Sequence, residues 1–199
     1  MRLGIFGGSF DPPHVGHLLA AVDAYELLAL DKLFFVPAAV QPLKADMIAA
    51  AAHQRLAMVR LLVGSDSRFA VDAVEIDRAG LSYTVDTLET FAQRFPTAER
   101  FFLIGEDAMT AFGAWRNPEQ ILKLAKLAIL RRPAAERASV VGATVDNEAG
   151  LPAGTIALET RLVDVSSTEI RDRVRDGKSI RGFVPESVAA FIETERLYR

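Results

Sequence analysis

Arg2-Leu3-Gly4-Ile5-Phe6-Gly7-Gly8-Ser9-Phe10-Asp11-Pro12-Pro13-His14-Val15-Gly16-His17 begins as an apolar run and ends in a turn-forming segment. Arg2 to Phe6 reads as a short buried strand, while Leu18, Leu19, Ala21, Val22 and Tyr25 recur at helical spacing. The segment between them is therefore a strand-to-helix turn. Its glycines allow a ligand to approach main-chain N–H groups closely, and the helix that follows offers its positive N-terminal end to an anion.

The same alternation continues along the chain. Strand-like runs at Leu3–Phe6, Leu33–Val36, Phe101–Ile104 and Leu127–Leu130 alternate with helical patterns at Leu18–Leu28, Gln54–Leu62, Val85–Phe95 and Glu119–Leu124. This predicts an α/β fold of Rossmann-like type, a doubly wound parallel sheet with helices on both faces. Phe101-Phe102-Leu103-Ile104 is apolar at every position, as a strand covered on both sides requires. Ligands of such sheets bind outside the carboxyl ends of the strands where strand order reverses, and the first loop belongs there. A further strand is expected at Thr160–Asp164. A length of 199 residues predicts a single domain, 1–199. Residues 133–154, rich in Ala, Gly and Pro, are expected to form a flexible surface excursion.

Half of the residues are hydrophobic and the formal charge is −3, so no global basic excess favours nucleic acid as a partner. The absence of cysteine excludes disulfides and thiolate metal sites and fits a reducing compartment. Met1–Phe6 is too short for the apolar core of a signal peptide, and no apolar run approaches the ~18 residues of a membrane span. The expectation is a cytoplasmic protein without a membrane partner. A homo-oligomer is left open.

Two of the chain's three histidines lie in the first turn. One histidine near a helix start is usually a cap or a packed side chain, but two in a Gly/Pro-rich turn point to chemistry. As zinc ligands, His14 and His17 would need further N, S or O donors, and Asp11 is the only candidate nearby, so metal ligation is the weaker reading. His53 sits in an alanine-rich helical stretch and reads as structural. The P-loop and Gly-x-Gly-x-x-Gly signatures are both absent.

Ser166-Ser167-Thr168-Glu169-Ile170-Arg171 is a second phosphate signal. Ser166 and Glu169 form the spacing of a capping box, yet three hydroxyls and an arginine exceed what a cap needs. Gly105-Glu106-Asp107 follows an apolar strand, so Asp107 either caps a helix or holds a ribose hydroxyl. Thr84 can cap a helix from Val85. Trp115 precedes the turn-forming Arg116-Asn117-Pro118, which would hold its indole near the surface, where it can stack on a flat heteroaromatic ring. Lys44 lies in a proline-containing loop after the second strand, and Arg132 follows the Leu127–Leu130 strand.

The first turn resembles, nearly residue for residue, the His-x-Gly-His signature of the nucleotidyltransferase superfamily, and Val165–Arg171 resembles its Ile-Ser-Ser-Thr-x-Ile-Arg signature. Ser82-Tyr83-Thr84, Gly-x-Asp at 105–107 and Trp115 resemble one branch, the bacterial nicotinate-nucleotide adenylyltransferases. Arg131-Arg132-Pro133, Val184-Pro185 and Leu197-Tyr198-Arg199 match as well. Where the family carries Pro-Pro-His-Lys or Arg, this chain reads Gln41-Pro42-Leu43-Lys44, so the histidine is missing and Lys44 matches. The resemblance implies ATP and nicotinate mononucleotide as substrates, with magnesium carried mainly on the ATP phosphates. It implies that His14, His17, Lys44 and Arg171 act in catalysis. ATP would be bound by Gly7, Gly8, Ser9, Phe10, His14, His17, Gly105, Asp107, Ser167, Thr168 and Arg171, and the mononucleotide by Lys44, Thr84, Trp115 and Arg132. Nicotinamide mononucleotide or phosphopantetheine as acceptor, and a non-catalytic nucleotide sensor, are the alternatives.

Overall fold

In the computed structural model, which describes residues 1–41, 49–131, 142–145, 151–161 and 163–199, the first apolar run forms an inner strand of a seven-stranded sheet. The strands are β1 (Arg2–Gly8), β2 (Lys32–Pro37), β3 (Phe69–Val71), β4 (Glu99–Gly105), β5 (Lys126–Arg131), β6 (Gly142–Val145) and β7 (Ile156–Glu159). Their order is β3-β2-β1-β4-β5-β7-β6. All neighbours are parallel except β6, which runs antiparallel to β7 at the edge. Strand order reverses between β1 and β4, so the loops leaving these two strands share the crevice that open α/β sheets use for ligands.

The helices are α1 (Val15–Leu27), α2 (Ala52–Val63), α3 (Val74–Arg78), α4 (Thr84–Arg94), α5 (Glu106–Met109), α6 (Pro118–Leu124), α7 (Ser167–Arg175) and α8 (Glu186–Thr194). They cover both faces. Phe101 and Leu103 of β4 point into one core with Ala21 of α1, Met58 of α2, Ile170 of α7 and Val188 of α8. Phe102 and Ile104 point into the other, with Leu88 and Phe91 of α4 and Ile121 of α6. The period of two along the strand sorts a continuous apolar run onto two cores.

Two sequence expectations need correction. The strand expected at Thr160–Asp164 lies earlier, at Ile156–Glu159. At Thr160 the chain leaves the sheet after one last N–H bond to the Arg131 carbonyl (3.2 Å). Arg161 then turns to α1, where its main-chain N–H and guanidinium both donate to the buried Asp23 carboxylate at 2.9 Å. Such a demand for a partner outweighs the β propensity of Thr-Arg-Leu-Val. The excursion expected over 133–154 contributes β6 to the sheet in its described part.

Candidate active site

The first turn is held from below by Phe10. Its backbone is left-handed (φ 50°), and its buried ring packs against Phe6, Phe35 and His17 at centroid distances of 5.5, 5.8 and 5.1 Å. The ring folds back beneath Gly8, where a Cβ would come within 3.0 Å of it. Phe10 therefore belongs to the core, and the part of it that faces outward is main chain.

His14 stands at the N-cap of α1, and its main-chain N–H donates to His17 Nδ1 (3.2 Å). The two rings lie 3.8 Å apart. Gly16 makes this possible, because a Cβ there would sit 3.0 Å from the His14 Cε1 and Nδ1 atoms. Burial, and then the neighbouring His14, pushes the His17 pKa well below its ordinary value near 6.5. The imidazole is thus neutral at pH 7. With Nδ1 accepting, its proton sits on Nε2, which leaves that atom as the ring's donor.

The second motif clamps the first. Ser166 caps α7 by accepting the Glu169 N–H at 3.1 Å, as its spacing predicted. Ser167 Oγ donates to the Pro12 carbonyl (2.8 Å), Arg171 Nη1 donates to the Asp11 carbonyl (2.8 Å), and Arg171 Nη2 donates to Thr168 Oγ1 (3.2 Å). Residues 155 and 160 positions apart in sequence thereby form one unit with the histidine turn.

Beside it, a cleft of about 890 Å³, counted with its open mouth, runs along the carboxyl ends of β1, β2 and β4. Gly7, Gly8, Gly105, Thr84 and Trp115 all line it. Trp115 is half-buried, edge-on to Phe102 at 6.1 Å and tilted against Phe112 at 5.5 Å. The turn that follows carries Asn117 in a left-handed conformation and Pro118 at the first position of α6. Thr84 is the first residue of α4 and not its cap, which is Tyr83. Asp107 is likewise no cap: it is exposed in the first turn of α5, behind Gly105, and does not line the cleft. Lys44 and Arg132 lie outside the described residues.

Five side chains to which the sequence reading gave no role, Gln41, Arg55, Glu75, Ser82 and Thr87, shape this cleft. The loop after β2 is tied to the loop before α4 by Ser82, whose Oγ accepts the Ala39 N–H (2.9 Å) and whose N–H donates to the Val40 carbonyl (2.8 Å). Ser9 Oγ donates to Gln41 Oε1 at 2.5 Å. Glu75, buried, accepts from Thr87 Oγ1 (2.6 Å), and burial raises its pKa. Arg55 is fully buried and donates to the carbonyls of Ala50, Ser9 and Ala39 at 3.1, 2.7 and 2.9 Å. Ser82 and Gln41 sit within quoted motifs and Thr87 close to one, whereas nothing local marks Glu75 or Arg55.

Among the described residues no three His, Asp or Glu side chains converge as a metal site, and no helix is long and apolar enough to cross a membrane. Asp11, the one carboxylate near both histidines in sequence, spends its oxygens on the N–H groups of Ala49 and Ala50 and on the Tyr198 hydroxyl.

The chain matches the cytidylyltransferase-like family over residues 5–173. It is 49% identical over 199 residues to the probable nicotinate-nucleotide adenylyltransferase of Gemmatimonas aurantiaca, covering all of this chain and 93% of that one. It is 44% identical to the protein of the same name from Thermus thermophilus, with both chains covered completely. The Plasmodium falciparum nicotinic acid mononucleotide adenylyltransferase solved in complex with NaAD shares the fold at a TM-score of 0.76 and 18% identity, covering 99% of this chain and 97% of that one. With its histidine turn, its α7 clamp and its full-length relatives, the chain belongs to the cytidylyltransferase-like family and, within it, to the nicotinate-nucleotide adenylyltransferases.

Proposed function

We infer that this protein transfers the adenylyl group of ATP to nicotinate mononucleotide, releasing pyrophosphate and forming deamido-NAD, with residues 1–199 acting as one nucleotidyltransferase domain. The observation that carries this reading is the convergence of three features on one edge of the sheet. The His14–His17 turn, the Ser167–Arg171 helix start and the Trp115 cleft all meet at the carboxyl ends of β1 and β4. The names of the full-length relatives support the identity of both substrates.

The attacking group is a phosphate monoester, whose second pKa of about 6 leaves it largely ionised at neutral pH. No general base is needed. An oxygen of that phosphate bonds to the α-phosphorus while the bond to the bridging oxygen breaks, and pyrophosphate leaves with the electron pair. The site has to align two phosphates and offset the charge that develops. His17 Nε2–H is fixed as a donor for this task, beside His14. Arg171 and Lys44 supply positive charge, with Ser167 and Thr168 at the same helix start. Gly7, Gly8, Ser9 and the Phe10 main chain line the approach of the nucleotide, and Gly105 flanks its ribose side, with Asp107 behind it outside the cleft.

Magnesium fits this site as a passenger of the nucleotide. The Asp11 oxygens are occupied by protein donors, so the triphosphate oxygens and water would hold the ion, which would neutralise part of the phosphate charge. The cysteine-free composition fits a cytoplasmic setting.

Thr84 and Trp115 serve the mononucleotide, with Arg132 and Lys44 on its phosphate. Trp115→Ala is expected to raise the KM for nicotinate mononucleotide by about tenfold or more, the scale of aromatic stacking on a ring, while the KM for ATP stays within about twofold. Equal weakening of both substrates would rule out stacking. The reaction itself is tested by pyrophosphate release with ATP and either nicotinate mononucleotide, nicotinamide mononucleotide or phosphopantetheine. The acid should be the best acceptor. A better rate with either competitor would overturn the substrate assignment, and binding without pyrophosphate release would make the protein a sensor.

A further inference from the structure

Asp11 is the residue on which distant parts of the chain converge. Its Oδ2 accepts the Ala49 N–H (2.7 Å), and its Oδ1 accepts both the Ala50 N–H (3.0 Å) and the Tyr198 hydroxyl (2.8 Å). Its main-chain carbonyl accepts from Arg171, whose Nη1 also lies 4.0 Å from Oδ2. The carboxylate is buried, 3% exposed, within the turn that carries both histidines. Tyr198 reaches it across 187 residues of sequence.

The end of the chain is built to make this contact. Leu197 is buried in the core beneath α8, and its N–H donates to the Ile192 carbonyl (3.0 Å). Tyr198 then takes a left-handed conformation (φ 63°) that a tyrosine adopts only when its surroundings hold it there. Burial, and then the adjacent Asp11, raises the pKa of the phenol, so it remains a donor throughout the neutral and mildly alkaline range. Hydrogen bonds to a buried ionised carboxylate are among the stronger ones in proteins.

We propose that Tyr198 is a positioning residue for the triphosphate-binding turn: its hydroxyl fixes the Asp11 carboxylate and so sets the Asp11–His17 segment against α7 and the start of α2. The proposal rests on the adenylyl-transfer reading for its kinetic consequence, while the contact itself can be tested without turnover. Tyr198 touches neither histidine through any of these bonds. It acts through Asp11.

Tyr198→Phe removes only the donor. The expected result is a rise of about tenfold in the KM for ATP, with the KM for nicotinate mononucleotide within about twofold and Tm within about 3 °C of the parent. In an Asp11→Asn background the same change should have little further effect, because residues that act through one network are not additive. Unchanged ATP kinetics, equal weakening of both substrates, or full multiplication of the two effects in the double variant would each overturn the proposal. Calorimetric titration with magnesium-ATP reads the contact directly, also where Asp11→Asn does not fold. Weaker ATP binding by Tyr198→Phe supports the proposal, and unchanged affinity overturns it. If the parent protein releases no pyrophosphate, the adenylyl-transfer reading fails while the calorimetric result still decides the role of Tyr198.

Discussion

Replacing His17 by alanine is expected to lower kcat for adenylyl transfer by about 10²–10³, the usual consequence of losing one fixed donor to developing charge. The geometry makes the donor more than a hydrogen-bonding surface. His17 Nδ1 is engaged by the His14 N–H, so the ring cannot rotate or change tautomer without breaking that bond. An Asn side chain places an oxygen near the Nδ1 position but does not reach to Nε2, whereas Gln reaches further. His17→Asn should therefore be nearly as slow as the alanine variant, with His17→Gln retaining more activity. If His17→Asn turned over normally, the ring would serve only to hold the turn, and its assignment to the phosphates would be wrong.

The depressed pKa of His17 also gives the fold a pH signature. Between the folded pKa and the unfolded value near 6.5, the unfolded chain binds a proton that the native state refuses. Stability therefore rises with pH through that window and is lost as pH falls below about 6.5. Above the unfolded value the contribution is flat. Denaturant midpoints from neutral to mildly acidic pH should fall less steeply for His17→Ala than for the parent. Parallel curves would show that His17 does not titrate abnormally.

The parts of this fold that were legible in the sequence are those where local pattern and tertiary environment agree. Phe101–Ile104 reads as a central strand because both faces are covered, so no polar residue interrupts it. The helix starting at Ser167 was visible from its cap. The short strands β3 and β6, of three and four residues, carry too few positions to show a period. Helix α1 begins at Val15 and not Leu18, because Gly16 and His17 interrupt the apolar period within its first turn. Function was legible because phosphate binding needs glycines, hydroxyls and histidines at fixed local spacings. The supports of the site were not, since they are made between segments far apart. Arg55, among Gln54, Leu56 and Ala57 of a helix, looks like any solvated arginine until the fold buries it.

For that reason Arg55 carries the largest stability effect expected outside the histidine turn. Its guanidinium is fully buried and satisfies main-chain carbonyls from three segments: Ser9 after β1, Ala39 after β2, and Ala50 before α2. Burial lowers its pKa, and the nearby Asp11 acts against that shift, so the cation is retained. Arg55→Leu regains the desolvation cost of the charge but leaves three carbonyls without a donor. Each unsatisfied group costs about 1–3 kcal/mol, which gives a net loss of about 3 kcal/mol after the regained desolvation is set against it. For a chain of this length that corresponds to a Tm lower by roughly 6–12 °C. Lysine should rescue little, because a single ammonium cannot present the planar fork that three divergent carbonyls require. Arg60, exposed on the same helix, provides the control, and Arg60→Leu should leave Tm within about 1 °C. Because Arg55 braces the loops after β1 and β2, which both border the cleft, a folded Arg55→Leu protein should bind ATP and nicotinate mononucleotide more weakly together, unlike Trp115→Ala. A Tm within about 2 °C of the parent would show that water takes over the three carbonyls and that Arg55 does not hold the site together.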